Sequence, residues 1–244
     1  MGMAIPSVQA NNPFVPKAET WNYSIQYKYG LVVMKAGSAQ YRLNAIHSNG
    51  RPAVKLALDF KTNAFFDKIF FIRDTLTTVA TFPDYTPLYH TRSVNEGNTH
   101  FFEEIWTRKF GIDYTESQIK RIQNGEVRID TVLCVSNLGY DILSVFLYMR
   151  QNDYATMNPG DNRYITTFLG TKKTNLIIRY AGPTVFEGRN KQKRNAFFFA
   201  VDISDEVFSH AKNAMEIWVS DDEYHIPLKM KAKLKIGAAE AELM

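Results

Sequence analysis

The sequence predicts a mainly β protein: an antiparallel meander of about a dozen strands with one main helix over about residues 139–151. Three observations carry this prediction. Apolar and polar residues alternate with period two along most of the chain. Short turn signals such as Asn49-Gly50 separate the alternating runs, which is how a meander connects its strands. Aromatic residues make up 14%, with 17 Phe and 13 Tyr, and such rings favour strands.

The elements follow in order. WNYSIQYKY places Trp21, Tyr23, Ile25, Tyr27 and Tyr29 on one face, and Asn22, Ser24, Gln26 and Lys28 on the other. That is a half-buried strand with an aromatic inner side. Gly30 ends it. LVVMKAGSAQYRLNAI is the next strand, and Gly37 inside it signals a bulge or a close backbone approach. AVKLALDFKTN follows the Asn49-Gly50 turn, and FFDKIFFIRD fits either a short helix or a strand. TLTTVAT, LYHTRSV, HFFEEIWTRKF and EVRIDTVL continue the β pattern, with FPDYTP as a loop and EGN and NGE as turns. YDILSVFLYMRQ is the helix. Its Ile142, Val145, Phe146 and Met149 recur at helical spacing and read as core, with Asn137 or Gly139 to cap its start. YITTFLG, NLIIRYAG, NAFFFAVDI, AMEIWVS and IPLKMKAKLKIGAAEAELM are the remaining strands. In the last, Leu228, Met230, Ala232, Leu234 and Ile236 share a face predicted to point inward. Lys229, Lys231, Lys233 and Lys235 share the wet face; a contact with an anionic surface is the alternative reading of that row.

The 244 residues are 45% hydrophobic and 22% charged, enough for a sizeable core. The net charge is +4 and the positive residues are dispersed, so nothing points to nucleic acid. Cys134, the single cysteine, lies in the apolar run TVLCV and reads as a small buried hydrophobe. No run reaches the ~18 apolar residues of a transmembrane helix. Val8 and Ala10 sit like the small residues of a signal-peptidase site. Residues 1–20 therefore read as a disordered tail or the remnant of a signal peptide, and 21–244 as a single domain.

Motifs of common chemistries are missing. There is no GxGxxG, P-loop, GxSxG or HExxH, so no cofactor or metal is expected. His100 with Glu103 and Glu104 does not make a metal site, because Glu103 would face away from the other two. SDDEYH carries Asp221, Asp222, Glu223 and His225, which suit acid-base work but also compose a hairpin turn, the favoured reading. GRNKQKRN, with Arg189, Lys191, Lys193 and Arg194, reads as a solvated hairpin loop.

Three segments carry a family resemblance: YKYGLVVMKAGSAQY, YDILSVFLYMR and WVSDDEYHIPLKMKAKLKIGAAEAEL. In this order and spacing they resemble domain-of-unknown-function family 3108 (DUF3108), from about Trp21 to Leu243. The positions that carry the likeness are Trp218, Ser220, Asp221, Asp222, Pro227 and Gly237, then Gly30 and Gly37, then Asp141, Ser144 and Arg150. The resemblance implies an exported protein of Gram-negative bacteria, in the periplasm or at the outer-membrane face, with the meander folded on itself as a half-barrel. Similar half-barrels occur in periplasmic lipoprotein carriers. The family has no established activity, so no catalytic residues transfer, and the motif positions are expected to be structural.

The functional expectation is a non-catalytic binding or transport protein for a lipid, lipoprotein or glycan. Trp21, Tyr23, Tyr27 and Tyr29 are the candidate walls of its ligand site. The alternatives are an assembly partner of another envelope protein and a polysaccharide-acting enzyme using Asp221 or Asp222 with His225 or Tyr224.

Overall fold

The computed structural model describes residues 17–111, 114–136, 138–169, 171–204 and 211–244. The signal-peptide reading of Val8 and Ala10 and the capping role of Asn137 fall outside these residues. The strands are β1 (Glu19–Tyr29), β2 (Val32–Ser48), β3 (Arg51–Thr62), β4 (Arg73–Thr81), β5 (Pro87–Glu96), β6 (Thr99–Phe110), β7 (Tyr114–Gln123) and β8 (Glu126–Ser136). After the short β9 (Gly139–Tyr140) and the helix α1 (Ser144–Arg150) come β10 (Asn162–Leu169), β11 (Lys172–Glu187), β12 (Lys193–Ser204), β13 (Ala211–Ser220), β14 (Pro227–Lys233) and β15 (Ala238–Leu243).

All fifteen strands form one sheet in the order β8-β7-β6-β5-β4-β3-β2-β1-β15-β14-β13-β12-β11-β10-β9. Pairing is antiparallel except between β9 and β10. β1 lies between β2 and β15, with Tyr23 opposite both Ala39 and Leu243. The two arms of the sheet curl from this centre toward each other, nearly closing a barrel. Where they meet, Phe168 of β10 packs on Ile105, Ile119 and Val135 of β6, β7 and β8. The Gly139 amide donates to Thr115 Oγ1 across the same junction at 3.3 Å.

The helix occupies the interior. Leu143 and Leu147 pack with Tyr23, Tyr41, Leu43, Val54 and Leu56 of the first arm. Val145 packs with Ile178, Tyr180, Phe197 and Phe199 of the second. Inward residues of neighbouring strands sit in register, as with Leu43 opposite Leu56, and each such aliphatic side chain stabilises the fold by about 1.5–3 kcal/mol. Gly37 allows the closest backbone approach. A Cβ there would stand 2.1 Å from the Lys61 carbonyl oxygen, beside the register shift between Ile25 and Gln26.

Several expectations need correction. The helix is shorter than 139–151, because Gly139 and Tyr140 pair with Thr166 and Thr167 as strand β9. FFDKIFFIRD is neither a full helix nor a strand: a 3₁₀ turn at Phe66–Lys68 is followed by an isolated bridge from Ile72 to Glu96. YTESQIKRIQ forms β7 although its alternation is hidden; its buried residues include Thr115 and Ser117, whose small hydroxyl side chains carry no apolar signal. The C-terminal run is two strands, not one. Gly237, at φ +75°, turns the chain, and the Leu234 amide bonds the Gly237 carbonyl at 3.0 Å. Leu234 and Ile236 are consequently exposed at 48% and 64% instead of pointing inward. Cys134 is only half-buried, since Val135 takes the inward position on β8.

Candidate functional site

The aromatic face of β1 is distributed rather than gathered around a cavity. Trp21 stacks on Tyr41 with ring centroids 4.7 Å apart. Tyr23 is buried and donates its hydroxyl to the Pro227 carbonyl at 2.9 Å. Tyr27 lies between Phe66, at 6.0 Å, and the Ile236 carbonyl, which accepts its hydroxyl at 3.0 Å. Tyr29 is 59% exposed at the barrel rim.

Motif residues near the helix build two buried polar knots. In the first, Asp141 Oδ1 accepts from Thr78 Oγ1 at 2.6 Å and from the Leu143 and Ser144 amides at 2.9 and 3.0 Å. His90 Nδ1 lies 3.2 Å from the same oxygen. Ser144 Oγ returns the contact by accepting from the Asp141 amide, closing a reciprocal cap at the start of α1. Burial opposes ionisation of Asp141, but the His90 ring, the Thr78 hydroxyl and the Ser144 amide outweigh it and hold the carboxyl below its ordinary value.

The second knot ties the end of α1 to β1 and to the SDDEYH turn. Arg150 Nη1 lies 3.0 Å from Glu19 Oε2, Nε donates to the Tyr224 carbonyl at 2.7 Å, and the guanidinium stands 4.7 Å from the centre of the Trp21 ring. Tyr41 lies beside it, and burial pushes the Tyr41 hydroxyl up to about 12. The turn is organised by Asp222, whose Oδ1 accepts from Ser220 Oγ and from the Tyr224 and His225 amides. Asp221, Asp222 and Glu223 are exposed on it, outside both surface grooves described below. His225 turns inward, with Nδ1 donating to the Arg150 carbonyl at 3.1 Å and its ring against Tyr154.

Burial lowers the His225 pKa from its usual 6.5, and the nearby Arg150 charge adds to this, despite the opposing carbonyl bond and Asp222. The unfolded chain therefore takes up a proton here before the folded one as pH falls. The stability due to His225 is present above about pH 6.5 and lost below it. His225→Asn, which tolerates the φ of +45° at this position, should flatten the decline of the urea midpoint between neutral and mildly acidic pH. An unchanged slope would refute this role.

The outer wall near β14 carries paired charges. Lys229 Nζ reaches Glu240 at 2.9 Å and Lys231 Nζ reaches Glu216 at 3.1 Å, so half of the lysine row is neutralised by neighbouring strands. Trp218 is half-buried on this wall, 4.9 Å from Phe198 and near Lys229. Arg189 is not a freely solvated loop residue: its Nε lies 3.2 Å from Glu242, and Nη1 donates to Ser24. Two grooves mark the wall. One of about 430 Å³ is lined by Asn22, Gln40, Asp59 and Thr75; the other, of about 250 Å³, by Phe186, Arg189, Gln192 and Arg194.

One rim of the barrel is different. The β1–β2 turn exposes Tyr29, Leu31, Val32 and Val33; the β3–β4 connection exposes Phe65, Ile69 and Phe70; the β14–β15 turn exposes Leu234 and Ile236. These are nine of the nineteen large apolar side chains exposed among the described residues, gathered on three adjoining turns. The turns are held together. Lys28 pairs with Ala238, Asn63 donates its amide to the Ala36 carbonyl at 2.9 Å, and Tyr27 bridges Phe66 and Ile236. Gly30, at φ +57°, shapes the first turn, and Gly237 the last, where a Cβ would meet the Lys28 carbonyl oxygen at 2.3 Å. Sequence reasoning missed this rim; the signal available was FFDKIFF, apolar residues crowded into a segment without a strand's alternation.

No helix among the described residues is long and apolar enough to cross a membrane. No curated protein matches the sequence. Among solved structures, the chain is similar to a β-barrel-like protein of the domain of unknown function DUF1849 from Brucella abortus. The TM-score is 0.63 at 9% identity, over 93% of this chain and 95% of that one, a likeness of fold. A family profile described as "Protein of unknown function (DUF3108)" matches residues 22–244, which hold the Asp141 knot, Arg150 and every turn of the rim, and the chain thus belongs to the DUF3108 family.

Proposed function

We propose that this protein is an exported, non-catalytic binding protein of the bacterial envelope that engages an acyl-bearing partner, a lipid or lipoprotein, through its apolar rim. The observation that carries this reading is the gathering of nine exposed apolar side chains on three adjoining turns. The helix fills the space where an interior carrier would hold its cargo, so binding belongs to the outside of the fold. The family resemblance supports the envelope as its place.

The test is titration with a diacyl lipopeptide in zwitterionic micelles, followed by amide chemical shifts. Shifts should concentrate on residues 29–33, 65–70 and 234–236. The combined variant Leu31→Ser, Ile69→Ser, Ile236→Ser should weaken binding by about tenfold or more while leaving the fold intact, since all three side chains are exposed. Shifts confined to the barrel wall, or an unaffected variant, would overturn the proposal.

A further inference from the structure

Resting on that reading, we infer that the partner of the rim is an anionic bilayer surface, on which the barrel stands end-on with its apolar turns inserted and a girdle of lysines at the headgroups. The shape of the rim supports this. Its apolar side chains project from turn tips, with Leu31 fully exposed, whereas neither groove is lined by any of the nine. Projecting tips suit shallow insertion into an interface rather than enclosure of a single chain. Immediately behind the rim, outward positions of β2 and β3 carry Gln40, Arg42, Asp59 and Lys61, so insertion would stop at the turns.

The charges around the turns complement a negative surface. Lys28, Lys35, Lys68, Lys233 and Lys235 are all exposed at the bases or tips of the three turns. Among the described residues none of the five forms an ion pair within 4.0 Å, in contrast to Lys229 and Lys231 further along β14. Acidic groups nearby are subdued. Asp67 is clamped by both Nη atoms of Arg73, at 3.0 and 2.7 Å. Asp74 and Glu96 adjoin each other, and burial together with Asp74 pushes the Glu96 carboxyl up to about 7, reducing its negative charge. Lysines beside an anionic leaflet add attraction that falls within a Debye length, so the five at this rim act together only if the rim itself meets the surface.

The experiment is vesicle flotation with phosphatidylcholine alone and with added phosphatidylglycerol, at low and high salt. The wild-type chain should float with the anionic vesicles, and salt should release most of it. Lys28→Gln, Lys35→Gln, Lys68→Gln and Lys235→Gln together should weaken that binding by about tenfold or more. The serine variant of the rim should abolish it. Equal, salt-insensitive flotation with both vesicle types would overturn the anionic inference while leaving the acyl-binding reading standing. Binding of micellar lipopeptide without flotation would overturn the bilayer inference alone. Failure of both assays would remove both. Should the glutamine variant misfold by circular dichroism, the lipid and salt dependence of the wild type still decides the matter.

Discussion

Arg150→Ala is expected to destabilise the fold by about 3–5 kcal/mol, because it leaves Glu19 in a nearly buried site without its counter-charge. The Arg150 and Glu19 side chains are only 2% and 11% exposed, so water cannot take over the lost partner. The same change frees the Tyr224 carbonyl and removes the cation from the face of Trp21. Arg150→Lys should not restore the loss, since one ammonium cannot serve Glu19, the Tyr224 carbonyl and a flat ring at once. Replacing the pair together, as Glu19→Gln with Arg150→Met, should recover much of it. Urea denaturation of the three variants against wild type measures this directly. A single-variant loss below about 1 kcal/mol would show the pair to be incidental.

Asp141→Ala should cost about 3 kcal/mol or more, for a different reason. One carboxylate oxygen serves the Thr78 hydroxyl and two helix amides, with the His90 ring within 3.2 Å. Removing it leaves these buried groups unmatched and uncaps α1, the element on which both halves of the core rest. Asp141→Asn should fall between, keeping an oxygen acceptor but losing charge. The pH dependence separates the two effects. The folded pKa of Asp141 lies below the usual 3.8, so its contribution is complete above that pH and disappears as pH falls through the folded value. The asparagine variant should therefore lose less stability than wild type on acidification below about pH 4. Parallel acid limbs would contradict this assignment.

The sequence revealed local structure well where one face of a strand was apolar. WNYSIQYKY predicted the inward face of β1 through Tyr27, and Gly37 announced the close approach to Lys61. It failed where the interior is polar or the alternation runs past a turn. Thr115 and Ser117 hid β7, and Leu234 and Ile236 kept the strand rhythm while the chain was already reversing. Two of the rim's three turns were hidden for the same reason: the tip residues Leu31 and Ile236 continue the apolar runs behind them, and only FFDKIFF stood apart. The Arg150–Glu19 pair joins positions 131 apart, which no local pattern encodes. The motif positions Asp141, Ser144, Arg150, Ser220 and Asp222 were found by likeness; their partners Glu19, Thr78 and His90 needed the fold.

The seating of β1 between β2 and β15 has a consequence for how the molecule is made. On the ribosome β1 emerges first and its second neighbour last; Tyr27 waits for Ile236 across 209 positions. At synthesis rates of about 5–20 residues per second, that edge stays unlatched for roughly ten seconds or more. Such distant closure is slow to form, and an open strand edge recruits foreign strands. The growing chain is thus vulnerable to aggregation over that interval. The final hairpin ends that vulnerability in one event: it latches the sheet and supplies the last turn of the rim.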